Sequence, residues 1–142
     1  MNNKIKLTTT LLVLFTMMAS CKKDSFSPKI IFSQQGEIIS DDTIPAYLGQ
    51  SDTLTIETFT DLNANPVYHR RHNDNMEETL TPASSDLSVV EQSFSDVRTD
   101  KVEISTLFNP DEYTKGDVIS IAVQISTMNG ASLQDEVYYV VQ

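Results

Sequence analysis

The sequence predicts an all-β fold, two antiparallel sheets packed face to face and built from about seven short strands. Three observations predict it. From Phe26 onward apolar residues alternate with polar ones instead of recurring at helical spacing, the mark of half-buried strands. The apolar runs are short and rich in Val, Ile, Thr, Tyr and Phe, residues that suit a pleated surface. Turn-forming residues at 63–66, 82–86 and 109–115 separate them.

Residues 1–20 stand apart from this domain. Positions 1–6 are polar with Lys4 and Lys6, and 7–18 are apolar apart from threonines, the two leading regions of a signal peptide. A membrane-spanning helix needs about 20 apolar residues, so this run does not qualify. It ends in Met18-Ala19-Ser20-Cys21, which resembles the lipobox of bacterial lipoproteins. That resemblance implies cleavage before Cys21 and lipid on its sulfur, and two or three acyl chains hold a protein durably on a membrane. Cys21 is the single cysteine of the chain, so no intrachain disulfide can form. The segment Cys21-Lys22-Lys23-Asp24-Ser25 also resembles the start of Bacteroidota lipoproteins. This implies the outer membrane and leaves the cell-surface and periplasmic faces both open. Residues 21–27 then form a short lipidated tether and 28–142 the sandwich.

Within 28–142 the predicted strands, in order, are 29–32, 53–59, 67–71, 87–94, 101–107, 118–128 and 136–141, with a further short one near 37–39. The clearest is 118–128, where Ile119, Ile121, Val123 and Ile125 share the core side while Ser120, Ala122, Gln124 and Ser126 share the other. Asn129-Gly130 follows, a dipeptide that takes the positive φ of a tight hairpin, so the last two strands pair antiparallel. A two-residue loop sets Glu136 opposite Val123 on the core side, whereas a shift of one brings Val137, Tyr139 and Val141 there. A bulge or a longer turn near 129–134 is therefore expected.

The stretch Gly49-Gln50-Ser51-Asp52-Thr53-Leu54-Thr55-Ile56 and the closing hairpin from Gly116 to Val141 resemble strands of the single immunoglobulin-like modules of Bacteroidota surface lipoproteins. The resemblance covers most of the mature chain and implies an immunoglobulin-like β-sandwich, with no particular ligand.

Charge narrows the partners. Loss of the leader removes two lysines and no acid, leaving 8 basic against 20 acidic groups, a formal −12. Such a surface repels polyanions, so nucleic acid is excluded as a partner.

The one unusual cluster is Tyr68-His69-Arg70-Arg71-His72. On a strand His69 and His72 point to opposite faces, so the pair cannot share a metal ion. Tyr68, Arg70 and His72 share a face, and with Arg71 they are the candidate ligand-binding residues, an aromatic and guanidinium set able to grip a carboxylate, a sugar or an acidic peptide. The plainer alternative is an exposed strand edge whose basic groups offset nearby acids. Asp61-Leu62-Asn63-Ala64-Asn65 opens like a calcium loop but has Pro66 for the glycine and His72 for the final glutamate, so a turn explains it. Asp42-Thr43-Ile44 and Asp52-Thr53-Leu54 resemble the O-glycosylation motif of Bacteroidota exported proteins, which makes Thr43 and Thr53 candidate acceptors.

Catalysis is not expected. The cysteine is consumed by lipid, both histidines lie in one run, and no glycine-flanked serine appears. No cofactor is expected. Two functions remain in play, a non-catalytic envelope module that binds a protein partner or a glycan, and a structural or spacer lipoprotein without a specific ligand. A contiguous exposed apolar patch separates them.

Overall fold

In the computed structural model, residues 27–73, 76–127, 130 and 132–142 are described. The leader and Cys21 lie outside these residues, as does Asn129 of the predicted turn.

Among the described residues ten strands form: β1 (Lys29–Gln34), β2 (Glu37–Ile38), β3 (Thr43–Ala46), β4 (Ser51–Thr60), β5 (Asn65–His72), β6 (Met76–Leu80), β7 (Leu87–Phe94), β8 (Arg98–Leu107), β9 (Val118–Ser126) and β10 (Ser132–Val141). They make two five-stranded sheets, ordered β2-β1-β4-β8-β7 and β3-β10-β9-β5-β6. The order β1-β4-β8-β7 against β10-β9-β5, with β6 added beside β5, is that of an immunoglobulin-like sandwich. The all-β expectation therefore holds, with more strands than the seven expected.

Two of the added strands explain themselves. β3 carries Pro45 in four residues, and proline has no N–H to donate, which confines it to an edge. It sits at one, pairing parallel with β10 in the register Ile44↔Tyr139, so the sheets are not wholly antiparallel as the sequence suggested. β6 reads Met-Glu-Glu-Thr-Leu, without alternation, and is extended because it pairs with β5, Arg70↔Glu78 and Arg71↔Glu77.

The core lies between the sheets. Leu54 and Ile56 of β4, Ile104 of β8 and Ile119, Ile121, Val123 and Ile125 of β9 are all buried. Tyr139 packs its ring against Phe108, centroids 5.2 Å apart. The closing hairpin pairs Ser126↔Ser132 and Ile121↔Val137, so the longer connection is the solution adopted. Val137, Tyr139 and Val141 face the core as a result. Gly130 closes that turn at φ +78°, with its N–H donating to the Thr127 carbonyl at 3.0 Å.

Candidate functional site

β5 is an inner strand, flanked by β9 and β6, which rules out the exposed-edge reading of the basic cluster. Alternation divides that cluster between two faces. Tyr68, Arg70 and His72 point between the sheets, while His69 and Arg71 point outward to Glu77. Arg71 donates to Glu77 Oε2 from Nε at 3.1 Å and from Nη2 at 3.0 Å. It therefore forms no single site with Arg70.

Tyr68 is a core residue, 7% exposed. Burial pushes its phenol up to about 12. The phenol comes up beside Thr58, but neither hydroxyl completes a well-formed hydrogen bond.

Arg70 sits at the mouth between the sheets and is already engaged. Its Nη2 reaches Glu78 at 2.7 Å and Asp86 at 2.8 Å. Ser85, and then Arg70, hold the Asp86 carboxyl below its ordinary range. A ligand carboxylate would have to displace both acids, so the expected grip on an acidic ligand is not available. His72 bonds Asp117 Oδ2 at 3.0 Å and packs against the Tyr113 ring, centroids 5.0 Å apart. Asn73, then the Thr114 N–H and His72, hold the Asp117 carboxyl well below the usual carboxylate range.

These groups border a cleft of about 560 Å³ at one end of the sandwich, where Arg70 and His72 face Glu78, Glu112 and Tyr113 over Ile119. With Glu77, Glu78 and Glu112 lining it beside the guanidinium of Arg70, the cleft favours neutral or cationic groups over anions.

A second surface escaped the sequence reading. Opposite the buried Val102 and Asp100 of β8 stand Val89 and Gln92 of β7, so this side of β7 faces the partner sheet. Only Leu87 of β7 is buried; Val89 is 48% exposed, Val90 50% and Phe94 59%. Val89 borders a space left because β6 stops at Leu80 opposite Tyr68, just before Pro82, so that the start of β5 has no partner strand on that side. The uncovered space is a cleft of about 340 Å³ bordered by Pro66, Tyr68, Leu80, Val89, Gln92 and Arg98.

Arg98 holds the floor of that cleft. Its Nε donates to Asp100 Oδ2 at 2.6 Å, its Nη1 donates to the Ala64 carbonyl at 2.8 Å and to Asn65 Oδ1, and its guanidinium lies over the Phe94 ring. Residues 61–64 thus form a turn that leads into β5 at Asn65, closed by the Ala64 N–H on the Asp61 carbonyl and capped by an arginine. Thr43 and Thr53 are both exposed, on β3 and β4.

No family model matches the chain, and no curated protein matches it in sequence. Among solved structures it is similar to a family 123 glycoside hydrolase from Clostridium perfringens, at 8% identity and TM-score 0.45, over 82% of this chain and 27% of that one. It spans about a quarter of that enzyme's length. Murine CRIg is similar at 10% identity and TM-score 0.40, over 82% of this chain and 98% of that one.

Proposed function

We propose that the chain is a non-catalytic lipoprotein of the outer membrane, anchored by lipid on Cys21, that serves as a binding module for a partner protein of the envelope. The lipobox-like segment supports the anchor, and the short tether keeps the domain near the membrane. One observation carries the binding reading over the spacer reading: Val89, Val90 and Phe94 stand exposed together on one edge strand. Apolar groups gathered this way on a monomer mark interaction surfaces.

A photo-crosslinking residue at position 94, with a control at exposed position 53, tests this in cells. A discrete adduct from 94 alone is expected. Equal labelling from both, or from neither, returns the chain to the spacer reading. Cys21→Ala moves the protein from the membrane to the soluble fraction if the anchor is as proposed, and an unchanged distribution refutes it.

A glycan is the second reading, favoured by the end cleft. The Tyr113 ring offers a platform and Glu78, Glu112 and His72 offer hydrogen-bond partners suited to a neutral or amino sugar. Thr43 and Thr53, each after an aspartate and exposed, are the proposed O-glycan acceptors.

A further inference from the structure

We propose that the free edge of β7 takes an extended, basic segment of the partner protein, which adds to the sheet as a strand and lays apolar side chains over Val89 and Phe94. This rests on the binding-module reading and specifies its partner.

The four sheet edges differ in a way that singles out β7. β2 has two residues, β3 has four with Pro45 among them, and β6 has five with Glu77 and Glu78 exposed. Shortness, proline, charge and β-bulges are the ordinary guards against strand addition. β7 has eight residues, Leu-Ser-Val-Val-Glu-Gln-Ser-Phe, without proline or lysine. It pairs with β8 on one side and ends its sheet on the other. Glu91 and a bulge, the register shift between Val89 and Glu91, are the guards it carries, and its length and open flank set it apart from the other three edges.

Shape agrees with this edge. A strand added outside β7 would run beside the 340 Å³ cleft, and alternate side chains would enter the space that β6 is too short to cover. That space is lined by Pro66, Leu80 and Val89, so the entering side chains are apolar.

Charge sets the remaining side chains. Along this edge stand Glu91 and Asp96, with Asp86 at its start shared with Glu78 on Arg70; the nearby cations are already paired, Lys101 across from Glu91 with Glu57 and Arg98 with Asp100. A basic segment is drawn to such an edge, and an acidic one is repelled. A second copy of this chain is disfavoured for the same reason, since an antiparallel pairing centred on Glu91 sets Glu91 against Glu91 and Asp96 against Asp86.

The test uses the purified lipidated protein in detergent and a fluorescein-labelled octapeptide of alternating valine and lysine, followed by anisotropy. Two comparators are a valine–glutamate octapeptide and the valine–lysine octapeptide N-methylated at alternate residues. Saturable binding of the valine–lysine probe is expected, weakened about tenfold or more by Val89→Thr with Phe94→Ser and by raised salt. The comparators should not saturate. Should the double variant fail to fold, Glu91→Lys replaces it and is expected to weaken the valine–lysine probe and favour the valine–glutamate one. The proposal is overturned if the probe does not saturate on wild type, if the N-methylated or acidic peptide binds equally, or if the variants leave binding unchanged. A concentration-dependent dimer abolished by the same variants also overturns it, assigning the edge to a second copy. A position-94 adduct in cells together with a failed peptide titration removes the strand-addition inference and leaves the binding module standing.

Discussion

At the scale of single residues, burial between the sheets governs how the inner face of β5 responds to pH. Alternation alone places Tyr68, Arg70 and His72 together and His69 and Arg71 apart, as found. Which face is inner depends on β6 and β9 on either side, and the carboxylates that neutralise Arg70 come from β6 and the loop after it; no local signal in 68–72 reports either. The consequence for Tyr68 is measurable. Its folded phenol titrates at about 12 because it is buried, while an unfolded tyrosine titrates near 10. The folded state therefore keeps its full stability below pH 10 and loses it as pH rises toward 12, by roughly 2–3 kcal/mol from this residue. Guanidinium unfolding of Tyr68→Phe should match wild type within about 1 kcal/mol at pH 8, because the hydroxyl lost has no hydrogen bond, and should decline less between pH 10 and 12. Asp117 acts at the opposite end of the scale. Its carboxyl is held low by Asn73, Thr114 and His72, so its contribution is present above about pH 4 and lost as pH falls below that. Thermal melts at pH 7 and pH 3 should show a smaller acid-induced drop for Asp117→Asn than for wild type, with a lower melting temperature at pH 7.

At the scale of elements, the strands that sequence periodicity finds are those whose two faces differ. β4 and β9 alternate or run apolar because both sides of their sheets are defined by neighbours, and their predicted limits lie within two residues of those found. β3 and β6 exist through pairing with β10 and β5 rather than through their own pattern, which is why neither is among the strands that alternation predicts. β8 shows the opposite case, a strand extended at its start by an ion pair. Arg98 and Asp100 both belong to it, and Asp100 is 3% exposed with Gln92 as a further donor. Through Ala64 and Asn65 the same guanidinium ties β8 to the start of β5 in the other sheet. Arg98→Ala leaves a buried carboxylate without its cation, a change that costs about 3–5 kcal/mol. Urea unfolding should show that loss, and Arg98→Ala with Asp100→Ala should recover part of it. A single-variant loss below about 1 kcal/mol would mean the pair is solvated and the sheets are tied elsewhere.

At the scale of the whole molecule, no disulfide links the two sheets, so the domain depends on apolar packing across its middle. That middle is β4, β8, β9 and β10, whose inward residues are nearly all fully buried, while β2 and β7 expose most of what they carry. Stability should therefore be graded across each sheet, high at the centre and low at the β7 edge, where a partner strand is proposed to dock. Local opening of an edge breaks few buried contacts and so requires less free energy than global unfolding. Native-state hydrogen exchange tests the grading directly. Amides of β4, β8 and β9 should exchange only through global unfolding, and those of β7 and β2 through local opening at lower cost. Ile121→Ala removes a fully buried side chain from the centre of β9, a truncation that costs about 2–5 kcal/mol. Because central amides report the global free energy, their protection should fall by that whole amount, while β7 protection stays where local opening sets it. If the β7 amides lost protection in step with β9, the edge would open only with the core. An added strand would then meet a rigid edge, and mobility of β7 would have no part in its docking.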